Sequence, residues 1–245
     1  MNQKGGVGKT TTTLNLAHAL SIAGKRVMAV DLDPQAHLTA SFGVDAHTQA
    51  GIDEVMMSDA KLADIKIKVR DNISLVPAGP ALAEFDQFKD GGSRRGWCLR
   101  DILTKVRNQD MILIDCPPSA GLLSMNALLA AKEMLIPVSG DYLALHGLSR
   151  LMGILKNIET RLQRTTKKWV VVTRFHERRR LARDVREKLL QYFPGQVLAT
   201  PIRESVALAE SPGFAQSIFE YKANSNGALD YSELADDLLA GRTYK

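Results

Sequence analysis

A glycine-rich loop that ends in lysine and threonine constrains this chain more than any other stretch. Residues 4–12 read K-G-G-V-G-K-T-T-T. Glycines let a backbone curl until consecutive N–H groups point at one centre, which suits a polyphosphate. In such a loop Lys9 reaches the β- and γ-phosphates, and the Thr10 hydroxyl ligates Mg²⁺. The helix that follows turns its positive end toward the same anion, so the loop predicts a P-loop nucleotide site.

The loop departs from the usual G-x-x-x-x-G-K-[ST] pattern at one place. Asn2 or Gln3 holds the position of the first glycine, and a second lysine, Lys4, enters the loop. In this respect K-G-G-V-G-K-T-T resembles the deviant Walker A loop of the ParA/MinD family of dimeric ATPases. The alternative is a chance glycine-rich turn before an ordinary helix. The resemblance implies that ATP is bound by Lys4, Gly5, Gly6, Val7, Gly8, Lys9, Thr10 and Thr11, with Lys4 crossing to the nucleotide of a partner subunit.

Two apolar runs that end in carboxylates follow the loop. Residues 26–33 read R-V-M-A-V-D-L-D before Pro-Gln, and residues 111–115 read M-I-L-I-D before C-P-P-S. Such runs are typical of buried parallel strands, whose carboxyl ends face the ligand crevice. The two stretches resemble the family's D-x-D-P-Q and I-D-x-P-P-S segments.

The resemblance assigns roles to these carboxylates. It implies that Asp33 positions or activates the attacking water, while Asp31 organises the magnesium and its waters. Without the preceding loop, Asp33 before a proline would be interpreted as a plain strand-to-loop cap. The implied catalytic residues are Lys4, Lys9 and Asp33, and the implied metal site comprises Thr10, Asp33 and Asp115.

Strand and helix patterns alternate through the rest of the chain, which predicts an α/β fold with a doubly wound, mostly parallel sheet and helices on both faces. Further strands are predicted at residues 73–78, 133–138, 168–175 and 196–202, and a long helix at residues 143–162. No linker or repeat interrupts the pattern, so we expect one domain over residues 1–245. No apolar strand precedes the loop in this sequence. We therefore expect either a longer natural chain or a sheet whose two central strands each lack a partner.

Composition limits the class of protein. The chain has 245 residues, of which 45% are apolar, as expected for a globular domain. It contains no run of 18 apolar residues and no charged-then-apolar leader, so we expect a cytoplasmic protein. Cys98 and Cys116 have neither CxxC nor Cys/His spacing, which argues against a disulfide framework, a zinc site or an iron–sulfur cluster.

Positive charge is concentrated in one segment. Residues 174–188 contain seven cations and three acids, and so carry +4 of the net charge of +5. On a helix, Leu181, Val185 and Leu189 share one face and the arginines another. A solvated face with i, i+4 ion pairs is the alternative to a binding surface. The family resemblance implies phosphate contacts with non-specific DNA by Arg178, Arg179, Arg180, Arg183, Arg186 and Arg203, with a steep dependence on salt.

The C-terminal region adds two expectations. Residues 200–212 resemble the family segment beside the nucleotide base, which implies base contacts from Pro201 and Arg203. Many relatives carry an arginine where this chain has Ala207. The helix predicted from residue 227 has acids on its polar face, so it lacks the cations that would meet anionic lipid, and we expect no membrane partner.

The hypothesis is a ParA-like ATPase that uses ATP and Mg²⁺, forms a homodimer on binding ATP and then binds DNA non-specifically. A ParB-like or cargo-adaptor protein would stimulate hydrolysis, which is expected to be slow alone because only Lys4 offers an activator. Two alternatives stay open. One is a metabolic or metal-transfer ATPase on the same fold, and the other is a non-hydrolysing scaffold.

Overall fold

Strands and helices alternate along the chain in a computed structural model that describes residues 6–46, 49–58, 60–87, 92–119, 121–140, 152–153, 156–157, 159–160 and 165–244. The strands are β1 (Val27–Asp31), β2 (Ile67–Arg70), β3 (Ile73–Val76), β4 (Met111–Asp115), β5 (Glu133–Ser139) and β6 (Lys167–Thr173). The first helices are α1 (Lys9–Ile22), α2 (His37–Ser41), α3 (Ile52–Met57), α4 (Leu62–Ile65), α5 (Leu82–Gln87), α6 (Cys98–Leu103) and α7 (Leu122–Ala130). After β6 come α8 (Arg180–Tyr192), α9 (Val206–Glu210), α10 (Ile218–Tyr221) and α11 (Asn226–Ala240), with 3-10 helices at Gly92–Trp97 and Ser211–Phe214.

The sheet is mostly parallel, as predicted. The strands form a four-stranded sheet in the order β2-β3-β1-β4 and a two-stranded sheet of β5 and β6. Strand β1 pairs in parallel with β3 and β4, and β5 pairs in parallel with β6. The edge pair β2–β3 is antiparallel, and β2 was not predicted from the sequence. Within the described residues β4 and β5 each pair on one side only.

Alternate residues of β1 explain why the strand is apolar throughout. All five of its residues are buried. Met28 and Val30 pack against α3, α5 and α7 on one face, whereas Val27 and Ala29 pack against α1 on the other. Because side chains alternate along a strand, a strand covered by helices on both faces has no position left for water-facing residues. This arrangement confirms the predicted helices on both faces.

Three sequence-based expectations about elements were wrong. Residues 196–202 run beside β6 but form only isolated bridges, since the Thr200 N–H donates to an Asp237 carboxylate at 2.8 Å and Pro201 has no N–H. The sequence of residues 46–58 predicts one short helix, whereas the described residues of that range are helical only in α3. Leu181 is 45% exposed, and Ala182, Val185 and Leu189 form the buried face of α8 instead.

The helix predicted from residue 227 is present as α11, and another predicted helix falls mostly outside the described residues. The last helix, α11, packs against α1 and β6, and its Tyr231 is buried beside Thr12 with the two hydroxyls 3.2 Å apart. Both cysteines are free and partly buried. Most of the helix predicted at residues 143–162 lies outside the described part of the chain. Among the helices described, none has the length and apolar character needed to cross a bilayer.

Candidate nucleotide site

The loop before α1 has the backbone conformation that its glycines predict. Gly6 has φ 78° and Gly8 has φ 87°, both in the left-handed region that residues with a Cβ rarely adopt. Gly8 is the N-cap residue of α1, so Lys9 and Thr10 begin that helix. Val7 is buried between the two glycines, and its carbonyl accepts a hydrogen bond from Thr173 Oγ1 at 2.9 Å. The end of β6 thereby fixes the position of the loop. Lys4 and Gly5 lie outside the described residues.

The Thr10 hydroxyl and the Asp115 carboxylate meet at this loop. Thr10 Oγ1 donates to Asp115 Oδ2 at 2.7 Å, across 105 residues of sequence. Thr13 Oγ1, one helical turn further on, donates to Asp115 Oδ1 at 3.3 Å. Asp115 is 1% exposed, and burial raises its pKa to about 6 despite these hydrogen bonds. The P-loop helix and the end of β4 therefore present a hydroxyl and a buried carboxylate at one point.

Asp31 and Asp33 follow β1 with different surroundings. Asp31 is fully buried; its Oδ2 accepts from the Thr39 N–H at 2.8 Å and from Thr39 Oγ1 at 2.7 Å, and its Oδ1 from the Asp33 N–H at 3.1 Å. Burial, with repulsion from Asp115, raises the Asp31 pKa to about 7. Asp33 is 8% exposed. Among the hydrogen bonds of the described residues, its carboxylate accepts only one, from the Gln35 N–H at 3.0 Å. Asp33 thus keeps acceptor capacity for water, while Asp31 is occupied by the protein.

Lys9 lies in the field of these carboxylates. Its pKa is lowered from the ordinary value by burial, an effect that Asp115 and Asp33 partly offset. A partly buried ammonium beside two partly or fully buried carboxyls is an arrangement that favours a bound anion next to a bound cation.

The residues present fit a magnesium–phosphate ligand. A hydroxyl and a carboxylate oxygen are ligands that Mg²⁺ prefers, and Mg²⁺ is held in such sites by one or two protein groups, waters and phosphates. No group of three or more His, Cys, Asp or Glu side chains among the described residues could hold a metal ion by itself. The shared Thr10–Asp115 contact therefore matches a site completed by phosphate oxygens and water.

Pro201 and Arg203 lie at the same edge of the fold. The Ile202 N–H donates to Val172 O at 2.8 Å, and the Phe175 N–H donates to Ile202 O at 2.9 Å. This pairing places residues 201–203 beside the end of β6, which holds the loop through Thr173. Arg203 itself is engaged: its Nε lies 2.9 Å from an oxygen of Asp230, which is 2% exposed. Its base and DNA contacts, both expected from sequence, stay predictions.

The arginines of the basic segment are not equivalent in the structure. Arg178 and Arg183 are exposed and form no ion pair with any described residue. Arg179 lies 3.2 Å from Glu204, and Arg180 lies 3.9 Å from Asp184. The Arg186 guanidinium stacks on the rings of Phe175 at 5.1 Å and Tyr244 at 4.8 Å, and its Nε is buried without a partner in the described structure.

Four residues beside the site were missed from sequence. Thr13 had a signal, because residues three apart on a helix share a face and Thr10 was already placed. Thr39 and Thr173 are brought to the site by tertiary structure, and no local pattern marks them. Arg174 has φ 48°, and its Nη2 lies 4.0 Å from where a Cβ on Gly6 would be. Its signal was its position close to the carboxyl end of the strand predicted at residues 168–175.

Comparison with known proteins decides the family. A family profile described as an AAA domain matches residues 1–168. The chain is 37% identical to the sporulation initiation inhibitor protein Soj of Bacillus subtilis over 98% of this chain and 96% of that protein. It is 36% identical to the chromosome partitioning protein ParA of Myxococcus xanthus, over 100% and 88% of the two chains. The chain belongs to the ParA-type partition ATPase family.

Solved structures agree with the fold of this ParA-type chain. A structure titled cobyrinic acid a,c-diamide synthase from Mycobacterium smegmatis, with bound ADP and magnesium, has a TM-score of 0.84 at 30% identity and covers 100% of this chain and 97% of its own. A plasmid partition protein of Borrelia burgdorferi bound to AMPPNP has a TM-score of 0.83 at 24% identity, covering 98% and 96% of the two chains. At that identity the second likeness concerns the fold alone.

Proposed function

We propose that this ParA-type protein is an ATPase that forms a homodimer with ATP and Mg²⁺, binds non-specific DNA as that dimer, and positions a cargo through partner-stimulated hydrolysis. The observation that carries the proposal is the 2.7 Å contact of Thr10 with Asp115 at a loop whose glycines have left-handed backbones. The names of the relatives support chromosome or plasmid partition as the purpose.

The nucleotide end of the proposed mechanism uses residues of the loop and of the ends of β1 and β4. Bound Mg²⁺ would supply charge neutralisation between the phosphates. Thr10 and Asp115, whose oxygens are 2.7 Å apart, would hold the ion, and Lys9 and the loop N–H groups would bind the phosphates. Asp33 orients the attacking water with its uncommitted oxygen, and Lys4 completes the site of the partner subunit. Water-positioning groups of this kind act by geometry rather than by covalent chemistry.

The DNA end of the mechanism is the surface of α8 and the turn before it. Arg178 and Arg183 are exposed and carry charge that no described acid neutralises. Three arginines at the N-terminus of a helix lie at the positive end of its dipole, so an external anion would stabilise them. Phosphate contacts from such residues give affinity without base specificity.

The two ends are joined by a short stretch of chain. Thr173, the last residue of β6, binds the loop at Val7, and Arg178 follows five residues later. A change in the loop on nucleotide binding would therefore reach the arginines through a connection of a few residues. This proximity supports DNA binding that depends on the nucleotide state.

The cargo follows from the relatives by analogy. Chromosome-partitioning names favour a DNA cargo, a ParB-like activator and association with the nucleoid when ATP is bound. The likeness to the diamide synthase structure supports a second candidate, an ATP-dependent metabolic enzyme. That candidate predicts an amide product from a carboxylate substrate and an ammonia donor, and ATP turnover that is indifferent to DNA.

DNA binding tests the proposal directly. Fluorescence anisotropy with a non-specific duplex is measured with ATP, ADP or no nucleotide, each in a salt series. Arg178→Ala and Arg183→Ala should each weaken ATP-dependent binding and reduce the slope of log affinity against log salt by about 1. Arg94→Ala is the matched control, because Arg94 is exposed on the 3-10 helix far along the chain from α8. Equal binding in all nucleotide states, or equal losses in the control, would contradict the proposal.

A further inference from the structure

A groove of about 510 Å³ lies under α4, at the other end of β1 from the nucleotide carboxylates. Met28, the second residue of β1, forms part of its wall, whereas Asp31 is the last residue of that strand. Three residues of an extended strand span roughly 10 Å. The groove is therefore separate from the loop that binds phosphate, and the proposed function does not use it.

The groove has an apolar wall contributed by separate elements. Val55 comes from α3, Leu62 from α4 and Ile102 from α6, and Val106 from the turn that leads to β4. These four side chains are only partly buried, although they pack against the main core cluster on this face of the sheet. A partly exposed apolar wall keeps surface that a ligand with an apolar body would remove from water.

The other lining residues include four cations. Lys61 and Lys66 flank α4, and Lys105 and Arg107 lie in the turn after α6. None of the described residues that line the groove is acidic. Lys61, Lys66 and Lys105 form no ion pair within the described ranges. Arg107 Nη1 donates to Thr104 O at 2.7 Å and to Val106 O at 3.1 Å, which fixes its guanidinium at the rim and leaves other N–H groups open.

We propose that this groove binds a small amphipathic anion, an alkyl chain that ends in a carboxylate or a phosphate. The apolar wall accepts the chain, and the cations that line the groove accept the head group. A volume of this size lies within the range of small-molecule sites, which are mostly apolar with a few convergent polar groups. A DNA backbone would interact with the cations of the groove but would leave its apolar wall exposed to water. The complementarity of charge and hydrophobicity therefore favours the small amphipathic anion.

Decanoate and decyl phosphate are the probes, used below the concentrations at which they form micelles. The full-length protein is labelled at the methionine methyl groups, and the Met28 signal is assigned with Met28→Leu. Titration should shift the Met28 methyl signal saturably, because Met28 lies in the wall. Decanol, which lacks charge, should bind at least tenfold more weakly. Saturating ATP and Mg²⁺ should change the affinity less than twofold, since the nucleotide site is at the other end of the strand.

Charge variants test the rim. Lys61→Glu with Lys105→Glu should weaken binding of both anions about tenfold, and Lys222→Glu, at an exposed lysine outside the groove, should leave it unchanged. The pair Lys61→Gln with Lys105→Gln removes charge more gently should the reversal impair folding. Binding of either anion with these dependences supports the proposal, and the stronger of the two identifies the head group.

Three outcomes would overturn it. One is the absence of a saturable Met28 shift with both anions. Another is equal binding of decanol, which would make the rim irrelevant. The third is a response only to anionic vesicles and not to either dissolved anion, which would mean a lipid surface rather than a small ligand.

Discussion

Asp31 and Asp115 are direct neighbours in the last register position of the parallel β1–β4 ladder. Both are at most 1% exposed, and repulsion from Asp115 contributes to the raised pKa of Asp31. Asp31 accepts a hydrogen bond from the Thr39 hydroxyl of α2, and Asp115 accepts hydrogen bonds from the Thr10 and Thr13 hydroxyls of α1. Two buried carboxyls side by side favour a bound cation or a retained proton.

The pH dependence of the unfolding free energy should reveal a proton retained by Asp31. The folded pKa of Asp31 is about 7, above its unfolded value of 3.8, so the folded state holds a proton that the unfolded state has lost between these values. Its contribution to stability is therefore present below about pH 4 and is lost as pH rises to 7. In Asp31→Asn the free energy of unfolding should fall by about 3 kcal/mol less between pH 4.5 and 7.5 than in the parent protein. Urea unfolding without Mg²⁺ measures this difference.

Asp110→Asn provides the opposite control. Hydrogen bonds from Arg26 hold the pKa of Asp110 below its usual range, so its contribution is present at neutral pH and is lost on acidification. This variant should lower stability at pH 7.5 more than at low pH. If Asp31→Asn had the same pH profile as Asp110→Asn, the assignment of a raised pKa to Asp31 would be wrong.

The magnesium dependence of ATP hydrolysis should depend on the Thr10 hydroxyl. Thr10→Ala removes the oxygen that meets Asp115, so we expect the Mg²⁺ concentration for half-maximal turnover to rise about 10- to 100-fold. Thr10→Ser keeps the oxygen and should stay near the parent protein. Thr13→Ala removes the longer contact to Asp115 and the 3.1 Å hydrogen bond from the Thr13 hydroxyl to Lys9 O, but leaves the Thr10 oxygen, so its effect should be smaller. An Mg²⁺ dependence that is unchanged in Thr10→Ala contradicts the proposed ligand.

The hydrogen bond from Thr173 of β6 to the Val7 carbonyl of the loop provides a third test. Thr173→Val keeps the shape but leaves the buried Val7 carbonyl without its donor, so unfolding free energy should fall by about 1–3 kcal/mol. ATP affinity should fall with it, because the loop is no longer held, and calorimetric titration measures this. Thr173→Ser restores the donor and should recover both properties. Loss of stability with unchanged ATP affinity would assign Thr173 to the core alone.

Arg203 can be assigned to structure or to DNA by a double substitution. Arg203→Ala leaves the Asp230 carboxylate, which is 2% exposed, without its ion-pair partner. Because the arginine side chain is 41% exposed, we expect a moderate loss of about 1–3 kcal/mol. Adding Asp230→Asn should recover part of it. If the salt slope of DNA binding stays unchanged in a folded Arg203→Ala protein, Arg203 is not a phosphate contact.

Local patterns were sufficient for much of the fold. The apolar runs predicted β1 and β4 nearly to the residue. In β1 burial on both faces leaves no position for polar side chains, whereas residues 111–114 of β4 are only half-buried. The antiparallel edge strand β2 was missed, since its sequence I-K-V-R has a half-buried pattern too short to stand out. Residues 196–202 have the composition of a strand, but the contact of Thr200 with Asp237 interrupts the ladder.

The sequence by itself determined the nucleotide loop, its carboxylate partners and the basic face of α8, because these depend on residue type and spacing along short stretches. Tertiary structure alone decided which groups meet. Thr173 donates a hydrogen bond to Val7 across 166 residues of sequence, and Arg203 donates one to Asp230. The Arg186 guanidinium contacts the rings of Phe175 and Tyr244. Tertiary structure also gathered four cations, from the two ends of α4 and the turn after α6, around the apolar groove. Such contacts depend on the distances between elements after packing, and no local pattern encodes those distances.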